Sequence, residues 1–205
     1  SKTLESKKIW VRLLTFAPGY FGYLQERTKA PLKKLYYQRE AVLTKKVLKK
    51  ISTRVQWIVP SLADKTELEN VFLGGNIVSL SPFNNNISTI SSKTGLGNYC
   101  LFQGNLADAA THKTAAWLLT HVFHNLTVPF VITGNNPSPV LIELAHKQPH
   151  TCIVANPSAS ERSDMIEKAQ IILQPSFIKP GPDEALLEGI KTGRHCVTNS
   201  KSSGS

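Results

Sequence analysis

The sequence predicts an α/β protein: a Rossmann-like, doubly wound parallel sheet preceded by a second α/β unit, which the resemblance given below implies is a partial domain. Three observations carry this. From residue 99 onward, short apolar runs alternate with helical patterns in a regular beat. The runs are almost continuously apolar, as expected of parallel strands covered by helices on both faces. Crossovers between parallel strands are right-handed, so this alternation winds into a doubly wound sheet with helices on both faces and ligand-binding loops at its carboxyl edge.

Taken in order, "KIWVRLL" (8–14) reads as a buried strand, and "TFAPGYFGYL" turns the chain at Pro18-Gly19. From Pro31 to Ile51 the pattern is helical. Leu32, Leu35, Tyr36, Val42, Leu43, Val47, Leu48 and Ile51 recur at three- and four-residue spacings, and the lysine pairs fall largely off that stripe. "RVQWIVPS" (54–61) is a strand, "ADKTELENVFL" a short helix whose start Asp64 supports, and "GGNIVSLSP" (74–82) a further strand. Residues 1–83 thus form the first α/β unit, and the Asn/Ser/Gly-rich stretch 84–98 reads as a linker. Residues 99–205 follow with strands at 99–104, 129–134, 151–156, 171–176 and 195–199. Helices lie between them at 114–125, 138–148, 160–169 and 182–192.

Composition bounds the rest. The chain has 205 residues and 41% hydrophobic content, enough to bury a core. No apolar run approaches the ~18–20 residues of a membrane span, and the first residues lack the apolar stretch of a signal peptide; a cytoplasmic location is expected. The chain starts with Ser1 and its one methionine is Met165, which suggests processing or a fragment. Cys100, Cys152 and Cys196 are far apart in apolar runs and read as reduced core thiols, with no zinc-ligand spacing. The net charge of +10 is uneven: residues 1–50 hold 13 Lys/Arg against 3 Asp/Glu, and the remainder nearly balances. That asymmetry points to an acidic partner such as an anionic membrane surface or a phosphorylated substrate. For the helix at 31–51, a merely solvated lysine face is an equal reading. The aromatic–basic interleaving of an RNA-binding motif is absent, so nucleic acid is not the expected partner.

Ligands of a doubly wound sheet sit outside the carboxyl ends of its strands. Those ends read Gly104-Asn105, Thr133-Gly134-Asn135-Asn136, Asn156-Pro157-Ser158 and Pro175-Ser176-Phe177. Glycine lets a backbone approach a ligand closely, and amides at a helix start favour phosphate oxygens. The same residue types are also ordinary loop chemistry; their recurrence on one edge is what raises the binding reading. No G-x-G-x-x-G or phosphate-loop motif is present. Of the six histidines only His146 and His150 have H-x-x-x-H spacing, with Pro149 between them, none has H-E-x-x-H spacing, and His195 reads as packing.

Several stretches resemble the retaining nucleotide-sugar glycosyltransferases of the GT-B fold, in the large family that includes mannosyltransferases. "YCLFQGNLADAATHKTAAWLL" resembles that family's opening strand, G-R-L turn and helix, and "VPFVITGNNPSPVLIELAH" its second unit. "CIVANPSASERSDMIEKAQIILQPS" resembles the third unit, and "ALLEGIKTGRHCVTN" the L-E-A-x-x-x-G-x-P-V-I run. Residues 1–83 resemble the second half of the family's acceptor-side domain, so the resemblance implies a fragment of a two-domain enzyme with a nearly whole donor domain.

The resemblance implies that Glu188, matching the second glutamate of the E-x7-E motif, holds the ribose hydroxyls of a nucleotide. It implies that Gly104 admits the donor diphosphate and that Ser176 and Phe177 face the base and sugar. Asn105, Gly134, Asn135 and Asn156 complete the expected donor-binding set. The departures are equally specific. Pro180, beside Lys179, stands where the first glutamate is expected, and "FIKPGPDE" is one residue longer than the usual loop. Asn105 replaces the arginine of the G-R-L turn, and Lys113 could stand in for the second basic residue only at a longer spacing than the family's. Losing fixed positive charge from a diphosphate site weakens stabilisation of the leaving group.

The expectation is therefore a glycosyltransferase of mannosyltransferase type that transfers sugar with retention, using a nucleotide-diphosphate sugar and no metal or other cofactor. Its acceptor would be lipid-linked or a polysaccharide, with peripheral membrane contact through residues 31–51 at the inner face. The alternative is a catalytically impaired relative that binds nucleotide sugars or serves structurally.

Overall fold

In the computed structural model, residues 9–13, 16–52, 54–72, 76–80, 97–177 and 184–199 are described. They fall into two compact units. Most of the linker, Lys179, Pro180 and the loop around them lie outside the described residues.

The first unit is a three-stranded parallel sheet of β1 (Ile9–Arg12), β2 (Val55–Val59) and β3 (Ile77–Ser79), in that order. Its helices are α1 (Ala17–Arg27), α2 (Pro31–Ile51) and α3 (Leu62–Val71). Ser61 caps α3 by accepting from the Asp64 amide at 3.0 Å. The core gathers on β2: Trp57, Val59, Leu68, Phe72 and Ile77 are buried, with the Trp57 and Phe72 rings stacked 5.5 Å apart.

Three expectations are corrected in this unit. Pro18-Gly19 does not turn the chain but lies in the first turn of α1, where proline is tolerated because its missing N–H has no helical partner. β1 is an edge strand with Ile9 and Trp10 exposed, not a buried one. The apolar stripe of α2 is largely uncovered. Leu48 and Ile51 pack onto the core, whereas Leu32, Leu35, Tyr36, Val42, Leu43 and Val47 are 40 to 83% exposed. At 100° per residue Leu32, Tyr36, Leu43 and Val47 share one side, roughly opposite the side of Ala41 and Leu48, so α2 carries two apolar faces.

The second unit is a five-stranded parallel sheet in the order β6-β5-β4-β7-β8. Its strands are β4 (Cys100–Asn105), β5 (Phe130–Asn135), β6 (Thr151–Ala155), β7 (Ile171–Leu173) and β8 (His195–Val197). Its helices are α4 (Ala109–Trp117), α5 (Pro139–His146), α6 (Ala159–Lys168) and α7 (Glu184–Lys191). Strand alternation divides the core. Cys100 and Phe102 face a cluster with Leu118, Leu119, Phe123 and Leu141, while Leu101 faces Ile166, Ala169 and Ile172. The helices α4 and α5 thus cover one face and α6 the other, the doubly wound architecture the sequence predicts. Gly189 of α7 belongs to the α6 face: a Cβ there would come within 2.7 Å of Ile172 Cδ1 and 3.0 Å of Cys196 Sγ.

Differences here are local. Asp108 starts α4 five residues earlier than the apolar periodicity does, its Oδ2 accepting from the Ala110 and Thr111 amides at 3.0 Å each. After Trp117 the helix widens into one π turn, Leu118–Val122, and ends in a 3₁₀ turn, Phe123–Asn125. Of the three thiols only Cys100 is buried; Cys196 is half-buried and Cys152 is exposed, because β6 is an edge strand. Burial raises the pKa of both Cys100 and Cys196.

Candidate functional site

The sheet order places the topological switch between β4 and β7: β4 leads toward β5 and β6, whereas β7 leads the other way to β8. At the carboxyl edge beside this point lies a cavity of about 400 Å³. Its floor is made by the strand ends Gln103, Gly104 and Asn105 of β4 and Thr133, Gly134 and Asn135 of β5, which run in register. Its walls are Pro157, Ala159 and Arg162 at the start of α6 and, beside them, Ala185 and Glu188 of α7.

Close backbone approach sets the floor. A Cβ on Gly134 would lie 1.8 Å from the Gly104 carbonyl oxygen, so the β4 and β5 ends meet only because this residue has no side chain. A Cβ on Gly104 would meet the Thr111 methyl of α4 at 2.7 Å. Both glycines therefore serve strand and helix packing as well as lining the cavity.

The polar side chains of the floor are tied to the fold. Gln103 Nε2 donates to the Ala185 carbonyl at 3.2 Å, joining β4 to the first turn of α7. Gln174 Nε2 donates to the Gln103 carbonyl at 2.9 Å, and Thr133 Oγ1 donates to the Val154 carbonyl at 3.1 Å. Glu188 is partly exposed, and its Oε1 lies 3.5 Å from Arg162 Nη2. Among the described lining residues Arg162 is the one cation and Glu188 the one anion.

The structure brings Gly104, Asn105, Gly134, Asn135 and Glu188 to this one cavity. The Asn105 side chain also makes its own turn, with Oδ1 accepting from the Ala107 amide at 3.2 Å. Asn156 is not among the lining residues. It adopts a left-handed backbone (φ 52°), and its Oδ1 accepts from the Asn136 amide at 2.9 Å, binding the loops after β5 and β6 together. Ser176 and Phe177 also lie elsewhere. The Ser176 amide donates to Asn199 Oδ1 and its carbonyl accepts from Asn199 Nδ2, while the Phe177 ring meets Trp117 edge-on at 5.2 Å. Lys113 is exposed and absent from the lining.

Sequence reasoning missed Arg162 and Gln103, whereas Thr133 stood in the strand end it read as a ligand edge. Gln103 carries a signal in retrospect: like Thr133, it sits one position before a strand-end glycine. Arg162 carries none, since an arginine in "SERSDMIEK" reads as a solvated helix face.

The helix starts along this edge are already capped. Ser138 Oγ accepts from the Leu141 amide at α5 and lies 2.8 Å from His112 Nε2. At α6, Ser158 and Glu161 form a reciprocal capping box. The Ser158 amide and hydroxyl both donate to Glu161 Oε2 at 2.8 Å, which lowers the pKa of that exposed carboxyl. No group of three or more potential ligands arranged for a metal ion occurs among the described residues.

No family model and no curated protein matches the chain. Solved structures do. A variant of TarM from S. aureus, in complex with fondaparinux, alpha-GlcNAc-glycerol and UDP, aligns with a TM-score of 0.60 at 14% identity, over 76% of this chain and 32% of that one. A glycosyltransferase from Rickettsia africae aligns with a TM-score of 0.59 at 14% identity, over 90% of this chain and 62% of that one. HepE of Anabaena, in complex with UDP and glucose, aligns with a TM-score of 0.55 at 9% identity, over 76% and 48%. The chain spans about a third to three fifths of these proteins' lengths, and over that stretch it shares their fold.

Proposed function

We propose that the chain is part of a glycosyltransferase and that its second unit binds a nucleotide-diphosphate sugar. The observation that carries this reading is the cavity at the β4 and β5 ends, with the Glu188 carboxylate on its wall. A carboxylate can accept from both ribose hydroxyls at once. Asn105 and Asn135 give the floor exposed polar side chains, and the cavity has the size of a small-molecule site. The solved glycosyltransferases with UDP bound support the same ligand class.

Transfer with retention, of mannose or a related sugar and through an oxocarbenium-like transition state, is the finer form of the proposal. The acceptor, lipid-linked or a polysaccharide, would be held by a first unit larger than the one here, since the chain covers only part of its structural relatives. Titration of the full chain with UDP- and GDP-sugars tests the donor site. Saturable binding that Glu188→Gln weakens about tenfold or more is the expected result, since a carboxylate acceptor contributes ~1.5–3 kcal/mol per hydrogen bond. An unchanged affinity in that variant would remove Glu188 from the site.

One observation favours a second reading, a relative that binds donor but transfers poorly. Asn105 stands in place of an arginine and turns its side-chain oxygen to its own loop. Donor binding without sugar transfer to any acceptor is the result that would select it.

The partner of the first unit is proposed to be an anionic lipid surface. The helix α2 carries seven Lys/Arg against one glutamate, and Leu32, Tyr36, Leu43 and Val47 lie exposed among them. Such a face suits the headgroup boundary. No described helix is long and apolar enough to cross a membrane. Cosedimentation with phosphatidylglycerol vesicles should be strong at low salt and fall as salt screens the lysines. Equal partition onto neutral phosphatidylcholine vesicles, or none onto either, would retire this contact.

A further inference from the structure

We propose that Arg162 is the anion-binding group of the cavity, taking a phosphate of the nucleotide while Glu188 takes the ribose hydroxyls. The inference rests on the donor-site reading and assigns it a residue outside the motifs that suggest it.

The electrostatics of this edge favour such a group. A nucleoside diphosphate brings at least two negative charges to a cavity whose described lining holds one guanidinium and one carboxylate. Helix N-termini are the usual alternative source of positive potential. Here α4 is capped by the Asp108 carboxylate, which uses the Ala110 and Thr111 amides. At α6 the Glu161 carboxylate closes the capping box. Both ends therefore present negative charge where a phosphate would otherwise dock. Asn105, at the end of β4, brings no charge.

Arg162 is free to move into that role. Its contact with Glu188 is long for a charge-assisted hydrogen bond, at 3.5 Å, and the two side chains are 50% and 30% exposed. Pairs of this kind contribute little to stability, so opening one costs little. When ribose hydroxyls donate to Glu188 they compete with this long contact, so the guanidinium can turn to an arriving phosphate. Its planar fork of donors matches two phosphate oxygens. No bond is made or broken; the step is an exchange of ion-pair partners within one cavity.

Calorimetric titration of the full chain with UDP and GDP, alongside uridine and guanosine, tests this. Arg162→Gln should weaken both diphosphates about tenfold to a hundredfold, the value of a charge-assisted contact. It should leave the nucleosides within about twofold, and it should flatten the salt dependence of diphosphate binding. Arg162→Lys, which keeps the charge but not the fork, should fall between. Circular dichroism controls for folding, and the half-exposed side chain predicts no change there. Equal weakening of nucleosides and diphosphates, or no weakening of either, overturns the assignment while leaving the donor site standing. A wild-type chain that binds none of the four ligands overturns both.

Discussion

Replacing Gly134 by alanine is expected to unfold the carboxyl edge of the sheet in the second unit. The added Cβ would sit 1.8 Å from the Gly104 carbonyl oxygen, 3.0 Å from the Gly104 carbonyl carbon and 3.0 Å from Leu106 Cγ. The first two are backbone atoms of the paired strand, so no rotamer change relieves the clash. The strands must part, breaking the register pairs Gly104↔Gly134 and Asn105↔Asn135 and the floor they form. Overpacking of well-packed sites costs ~1–3 kcal/mol and occasionally more; a backbone clash without an escape belongs at the top of that range, at about 3 kcal/mol or above. Chemical denaturation should show it as a fall in midpoint. Gly104→Ala is the control. Its Cβ meets a side-chain methyl rather than backbone of the paired strand, so the loss should be smaller. Equal stability of Gly134→Ala and wild type would mean that the strand ends do not approach as described.

The second large effect is expected in the first unit. Trp57 is fully buried, stacks on Phe72 and anchors a core of few residues. Truncation to alanine should cost ~3–5 kcal/mol through lost transfer energy and the cavity left behind. Its Nε1 has no hydrogen-bond partner among the described residues, so the loss is one of packing alone. Near-ultraviolet circular dichroism and denaturation together read it. Trp10→Ala, at a 54% exposed edge position, should stay within ~0.5 kcal/mol of wild type. A Trp57 variant as stable as the Trp10 variant would rule out this core.

The sequence was most readable where one physical rule dominates. Strands β4 and β5 are apolar on both faces, so their runs announce themselves, and the intervening helices follow from periodicity. It was least readable where exposure depends on what lies alongside. Nothing in "TCIVA" separates a central strand from the edge strand that leaves Cys152 exposed. The stripe of α2 satisfies the periodicity of a packed helix, yet only its Leu48 and Ile51 end reaches the core. At Pro18 two rules competed, and the helix-start position of proline prevailed over its turn preference.

The site divides in the same way. Gly104, Gly134 and Glu188 stand at strand ends or on a helix after one, where a doubly wound sheet puts its ligands. Asn156 has the residue type of a ligand donor but uses its side chain to join two loops. Arg162 reaches the cavity from a polar helix surface, and only the three-dimensional placement of α6 against α7 reveals its pairing with Glu188.

The edge position of β6 has a practical consequence. Cys152 offers an accessible sulfur, whereas Cys100 is buried and Cys196 is half-buried, with burial holding both of those thiols further from the thiolate form that reacts. A maleimide dye added briefly near neutral pH therefore has one preferred attachment point. The native chain already carries a handle for fluorescence or spin-label work on the sheet that forms the cavity floor, without engineering a cysteine-free background.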